Sequence, residues 1–326
     1  MNILRVAVLT SVVWFSAHAH AHARAPLVLL TDFGTQDGAV SAMKGVAYSV
    51  SQELLISDLS HENPSIFVGA YRLYQAEQFW PKDTVFVAVV DPGVGTARLS
   101  VVLKTRTGHY FVGPNNGLLS LVAERDGIEG LRQIDERVNR RSGSDESHTF
   151  HGRDVFAYTG ARLAAGVISF DQVGPSLAPQ LLISISYRKP ERAGDTVKGI
   201  IPVLDVQFGN VWTNIPKSLF DELHLALGAS VRIRIYHDDR LIDDDVAPYR
   251  RTFGEVAIGK PLVYINSLMN LAVALNQASY ATAHTIESGP DWFIELSPEP
   301  DAAAANARRL RGASQSANAS HEPRND

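Results

Sequence analysis

The 326-residue chain contains no cysteine. That single absence excludes disulfides, thiolate metal ligands and a cysteine nucleophile, and it is compatible with an oxidising compartment without requiring one. The chain also lacks any run of Lys and Arg interleaved with aromatic residues, and its formal net charge is −5. Nucleic acids are held by basic surface that displaces counterions, so no nucleic-acid partner is expected. The composition itself is ordinary. With 45% hydrophobic and 20% charged residues, the chain can bury a useful core without covalent staples, and its length suits two domains better than one.

The N-terminus has a pattern of its own. Met1–Arg5 carries one positive charge, Val6–Phe15 is almost wholly apolar, and Ser16–Ala23 alternates small residues with others. The apolar stretch is too short to span a bilayer. Residues 1–23 therefore read as a secretory signal peptide, and the mature protein is expected in the periplasm or outside the cell, with no membrane span after cleavage. An apolar first strand is the weaker alternative, because the next strand already begins at Pro26. His18, His20 and His22 alternate as in a metal-binding tract, but cleavage after Ala23 would remove them. No metal site is expected in the mature chain.

From Pro26 the pattern is apolar strand, turn and helix, repeated. Strands are expected at 27–30, 53–56, 84–90, 99–105 and 109–112, and helices at 39–50, 65–78, 118–125 and 150–164. This alternation predicts an α/β fold, a Rossmann-like N-terminal domain over 26–188 with a mostly parallel sheet. Pro179, Pro190 and the polar run Arg188–Arg192 mark a linker. Strand-like runs at 198–206, 230–236, 255–258 and 262–265 then predict a smaller, mainly β domain over 196–298. Residues 302–326, rich in Ala, Asn and Ser and without Phe, Trp or Tyr, read as a disordered tail.

Several segments carry groups suited to chemistry. Asp32, in Thr31-Asp32-Phe33-Gly34, stands at the carboxyl end of the first strand, where open α/β sheets bind ligands. A carboxylate there can accept two hydrogen bonds from a ribose diol, although a lone strand-end Asp is more often a turn or cap residue. The Asp-Phe-Gly tripeptide is not accompanied by the glycine-rich loop and strand lysine of a protein kinase. In Asp91-Pro92-Gly93-Val94-Gly95-Thr96-Ala97-Arg98, a turn that folds back would bring Asp91 and Arg98 together, either as a structural ion pair or as a pair holding a water. The glycines lack the Lys-Ser/Thr of a phosphate loop. Pro114-Asn115-Asn116-Gly117 offers amides but is also a turn sequence. His151, in Phe150-His151-Gly152-Arg153-Asp154, is a cap or surface residue unless it meets Asp91 and Arg98, in which case it becomes a base or water-orienter. In the second half, Asp205, Phe208, Asn210 and Trp212 fall within one strand-turn segment. Aromatics to stack on a purine, amides to read its edge and a carboxylate for an ammonium group together suggest a ligand site. Ser267, in Tyr264-Ile265-Asn266-Ser267, ends a later strand and offers a hydroxyl to a carboxylate.

Taken together, TDFGTQDG, DPGVGTAR, PNNGLL, FHGRD, FGNVWTNI and YINS resemble, in order, the motifs of the S-adenosyl-L-methionine hydroxide adenosyltransferases. This family is related to the 5′-fluorinase and 5′-chlorinase. The resemblance covers roughly residues 26–290. It implies that Asp91, Arg98 and His151 are the catalytic, water-activating set and that Asp32 binds the ribose hydroxyls. It further implies that Phe208 and Asn210 contact adenine, that Asp205 and Ser267 hold the methionine amino and carboxylate groups, and that Trp212 lines the same pocket. The implied fold adds a small C-terminal β-barrel to the α/β domain. The implied assembly is a homotrimer whose active sites lie between subunits. The implied reaction is hydrolysis of S-adenosyl-L-methionine, a small-molecule substrate, to adenosine and L-methionine without cofactor or metal. Where the halogenases have a Tyr, this chain has Asp91; their Thr is Val94, their Tyr-Ser is His151-Gly152, and their insertion is missing. A carboxylate repels a halide, so these departures favour water as nucleophile. A non-catalytic adenosine- or S-adenosylmethionine-binding protein of the cell envelope, and less readily a halogenase, are the alternatives.

Overall fold

The computed structural model describes residues 25–299. The expected signal segment and the expected tail both lie outside the described residues. In the N-terminal half the elements are β1 (Leu27–Thr31), α1 (Ala39–Val50), β2 (Ile56–Ser60), α2 (Ile66–Ala76), β3 (Val85–Val89), β4 (Ser100–Thr105), β5 (Tyr110–Pro114), α3 (Ser120–Asp126), β6 (Ile128–Gln133) and α4 (Glu136–Asn139). A stretch of π-helix, Gly152–Ala157, then runs into α5 (Tyr158–Ala164), and the short β7 (Ser176–Leu177) follows.

These strands form one seven-stranded sheet in the order β2-β1-β3-β5-β4-β6-β7. The first four pair in parallel, while β4 lies antiparallel between β5 and β6. Strands β1 and β3 are buried along their whole length, which is why they read as continuous apolar runs. Because side chains alternate across a strand, Leu27, Leu29, Val85 and Val87 enter one core while Val28, Leu30, Phe86 and Ala88 enter the other. Helix α1 covers the first face through Val40, Met43, Val46 and Ala47. Helix α2 covers the second, its N-terminus capped by Ser65, whose side chain accepts from Val68 N at 3.2 Å.

The C-terminal half contains β8 (Glu191–Ala193), β9 (Thr196–Ile201), β10 (Val203–Asp205), β11 (Asn210–Pro216), α6 (Lys217–Asp221), β12 (Ser230–His237), β13 (Arg240–Pro248), β14 (Pro261–Ile265), β15 (Asn270–Leu275), α7 (Tyr280–His284) and β16 (Gly289–Pro298). Two antiparallel sheets, β10-β11-β15-β14 and β13-β12-β16-β9-β8, enclose a shared core that includes Val197, Ile233, Val273 and Ile294. One parallel bridge, Tyr249 to Val263, links them at an edge. The expected smaller β unit is thus present, built from two facing antiparallel sheets.

One expected strand is displaced and another is not formed. The run at 53–56 is mostly the approach to β2, which pairs with β1 only from Ile56 onward. Leu54 is buried and misled the periodicity, whereas β2 is an edge strand whose Ser57, Asp58 and Ser60 look polar in sequence. Residues 255–258 form no strand: a turn of 3₁₀-helix spans Phe253–Glu255, and Ile258 is exposed. The stretch around the expected linker, which contains Pro179, Pro190 and Arg188–Arg192, lends short strands to both halves, β7 beside β6 and β8 beside β9.

Candidate active site

The sheet topology brings three separate segments to one edge. Asp32 follows β1 and Asp91 follows β3, and these neighbouring parallel strands end side by side. Arg98 precedes β4, which runs the opposite way, so its start lies at the same edge as the ends of β1, β3 and β5. Asp32 Oδ2 accepts a hydrogen bond from Asp91 N at 3.2 Å. Arg98 Nε donates to both carboxylate oxygens of Asp91, at 3.0 and 2.9 Å, and Nη2 makes a further bond to Oδ2. Only 9% of the Arg98 side chain and 4% of the Asp91 side chain are exposed. A pair so enclosed is set apart from solvated surface pairs, which contribute little. The guanidinium also lies 5.3 Å from the centre of the Phe156 ring.

His151 completes the cluster. Arg98 Nη2 donates to its Nδ1 at 3.1 Å. On the far side of the ring, Arg140 Nη2 stands 3.4 Å from Nε2. Burial, and then the neighbouring Arg98 charge, push the His151 pKa below its ordinary value, with Glu136 and Asp91 acting the other way. Asp32, at the rim, has its carboxyl raised by loss of hydration, against the lowering effect of the Asp91 N–H. The site therefore holds a fixed carboxylate, a guanidinium and a neutral imidazole.

Local packing explains the motifs around these groups. Phe33 meets Phe150 edge-on at 5.5 Å, tying the turn after β1 to the segment carrying His151. A Cβ at Gly152 would lie 2.9 Å from Phe33 Cζ. Glycine beside His151 thus has a packing reason in addition to the halide argument. Arg153 pairs with the buried Asp154 through two bonds of 2.8 Å and lies over the Phe150 ring. The amides of the Asn pair serve backbone groups: Asn115 Nδ2 donates to Leu181 O and Asn116 Nδ2 to Val90 O. In this fold they tie the turn after β5 to distant backbone, at Leu181 and at Val90.

The second group of candidate residues surrounds a different space. Asp205, Phe208, Asn210, Trp212 and Ser267 line a cavity of about 790 Å³ together with Tyr264, Asn266 and other residues of the C-terminal half. Its size is that of a small-molecule site. None of Asp32, Asp91, Arg98 and His151 lines it. Gly209 makes the tight turn beneath it. Its φ is +68°, and a Cβ would collide with Ser279 Oγ, so only glycine fits. Asn210 Nδ2 donates to Asp205 Oδ2 at 3.3 Å. Phe208 is 65% exposed, an uncovered aromatic face beside the cavity.

With this geometry in view, similarity to known proteins decides the family. The model of the SAM hydroxide adenosyltransferase N-terminal domain matches residues 27–174, and that of the C-terminal domain matches residues 199–293. The chain belongs to the SAM hydroxide adenosyltransferase family. A relative from Methanocaldococcus jannaschii, named (R)-S-adenosyl-L-methionine hydrolase, is 38% identical over 217 residues, covering 65% of this chain and 73% of its own. A fluorinase from Actinoplanes sp. is 30% identical over 290 residues, covering 81% and 95%. The crystal structure of an uncharacterized conserved protein from Thermotoga maritima superposes with a TM-score of 0.77 at 34% identity, covering 83% of this chain and 99% of that one.

Sequence reasoning within the SAM hydroxide adenosyltransferase pattern missed three groups that touch the cluster. Ser100 Oγ accepts from Arg98 Nη1 at 3.2 Å and donates to Glu136 Oε1 at 3.3 Å. Glu136 Oε2 accepts from Arg140 Nε at 3.1 Å and Nη2 at 2.6 Å. Glu136 opens α4 and Arg140 lies just past its end, and nothing in sequence placed that pair beside His151. A carboxylate–histidine cluster, Glu77, His109 and Asp126, has the spacing of a metal site. It sits at the opposite sheet edge, before β3 and β5. The Arg125 guanidinium pairs with both its carboxylates, supplying the charge a cation would bring.

Proposed function

We propose that the protein hydrolyses S-adenosyl-L-methionine to adenosine and L-methionine by attack of water, as hydroxide, on the ribose 5′ carbon. The observation that carries this reading is the enclosed Asp91–Arg98 pair against His151, with Asp91, Val94 and His151-Gly152 standing where the halogenases have Tyr, Thr and Tyr-Ser. A fixed carboxylate disfavours a halide and favours an oriented water. The new bond joins the water oxygen to C5′, the C5′–S bond breaks with its electron pair going to sulfur, and one proton is released. The leaving group is a neutral thioether, so it needs no acid, and the proposed reaction calls for no metal or cofactor. Hydroxide and sulfonium neutralise one another in the transition state, so a dry site favours it. Holding the water in line lowers the barrier by several further kcal/mol, of order 7–11 in ideal cases.

In this scheme Asp91 orients the water, Arg98 fixes Asp91 and stabilises hydroxide, and His151 supplies a neutral hydrogen-bonding partner. Asp32 takes the ribose hydroxyls. Phe208 and Asn210 contact adenine, Asp205 and Ser267 hold the methionine amino and carboxylate groups, and Trp212 walls the pocket. The separation of the two residue groups within one chain supports an assembly in which one copy's Asp91 edge closes over another copy's cavity, as in a homotrimer. Mixed oligomers of His151→Ala and Trp212→Ala chains should then regain part of the activity each lacks alone; no regain would place the whole site within one chain. Export to the periplasm or medium is proposed from residues 1–23, and cell fractionation tests it.

The direct test of function is incubation of the purified protein with S-adenosylmethionine, following adenosine by chromatography. Adenosine formation that ceases in Asp91→Ala is expected. Binding without product would assign the non-catalytic alternative, and a chloride-dependent 5′-chloro product the halogenase.

A further inference from the structure

The cluster at the sheet edge is a closed ring of contacts, not a three-residue set. From Asp91 the chain of partners runs to Arg98, Ser100, Glu136, Arg140 and His151, and from His151 Nδ1 back to Arg98. Arg140 is enclosed like Arg98, its side chain 9% exposed. It is held from three directions, by Glu136 and by the carbonyl oxygens of Ser144 and Ser147 at 3.3 and 3.4 Å. A guanidinium carries five donors and no acceptor, and it does not lose its proton in proteins. Each ring nitrogen of His151 therefore faces a permanent donor. In the neutral ring one of these contacts is a hydrogen bond. In the imidazolium neither is, because both nitrogens would present N–H to a cation.

We infer that Arg140 is a positioning residue for the reaction: with Arg98 it brackets His151, denies the ring an acceptor on either side, and keeps it neutral, so that the ring braces Arg98 against Asp91 and does not accept a proton. This rests on the hydrolase reading above for its bearing on catalysis, but not for its electrostatics. The groups facing the ring are Arg98 and Asp91 from the β3–β4 edge, Glu136 and Arg140 from α4 and its end, and the His148 ring 6.2 Å away. Glu136 favours the charged ring and Arg140 opposes it. Removing one or the other should therefore move the His151 titration in opposite directions.

The experiment is NMR titration of imidazole-labelled full-length protein, with His151 assigned by its loss in His151→Gln. In Arg140→Gln the His151 midpoint should rise by about half a pH unit or more, and in Glu136→Gln it should fall. Arg140→Lys, which restores the charge but not the fork, should return the midpoint towards wild type. A purely structural Arg140 would not produce this reversal of sign. In steady-state assays Arg140→Gln should move the acid limb of kcat to higher pH with KM within about twofold, since only an interaction with the reacting group is altered. Equal midpoints in wild type, Arg140→Gln and Glu136→Gln, or shifts of the same sign in both variants, overturn the inference. Absence of adenosine from wild type would sink the hydrolase reading instead, and the titration would still decide the role of Arg140.

Discussion

Replacing Asp91 by Ala tests the site and the fold together. The substitution removes the acceptor of three hydrogen bonds from Arg98 and leaves a guanidinium whose side chain is only 9% exposed. Breaking a buried ion pair by deleting one partner costs about 3–5 kcal/mol, because the remaining charge stays desolvated. Arg98 keeps Ser100 Oγ, His151 Nδ1 and the Phe156 ring, so the low end, about 3 kcal/mol, is expected. For a chain of this size that corresponds to a fall in Tm of roughly 4–6 °C. Removing the charge as well, in Asp91→Ala with Arg98→Met, should recover about half of the loss or more, since no unpaired charge remains. Adenosine formation should fall at least about 100-fold in both variants, the usual scale for losing a group that orients or activates the nucleophile. Calorimetry and a chromatographic turnover assay read the two effects. The reasoning is refuted if Asp91→Ala melts within about 2 °C of wild type or if the double variant is less stable than the single one.

Two further substitutions separate packing from binding. Gly152→Ser restores the halogenase residue, but its Cβ meets Phe33 Cζ at 2.9 Å; a stability loss of about 1–3 kcal/mol is expected with no 5′-halogenated product, and a chloro product from this variant would show that position 152 alone selects the nucleophile. Phe208→Ala removes an exposed ring, so stability should stay within about 0.5 kcal/mol while KM rises roughly tenfold from a lost stacking contact; an unchanged KM would remove Phe208 from the substrate pocket.

The sequence by itself determined the class of the fold, because the buried central strands β1 and β3 and the amphipathic helices α1 and α2 write their environments directly into hydrophobic periodicity. Polar edges were less legible. The buried Leu54 shifts the apolar signal ahead of strand β2, and the strand-like run 255–258 forms no strand. The motifs also marked Asp32, Asp91, Arg98 and His151, but as residues with turn, cap and ion-pair explanations of their own. Tertiary structure decided that they meet, because β4 runs antiparallel and returns Arg98 to the edge where β1 and β3 end. Structure alone likewise separated the Asp205–Phe208–Trp212 cavity from that edge, gave the Asn115 and Asn116 amides to distant backbone carbonyls, and gave Gly152 its contact with Phe33. It also set Arg140 beside His151. The spacing of Glu136 and Arg140 is a local fact of the chain, whereas the partner across the ring is fixed only when distant segments pack.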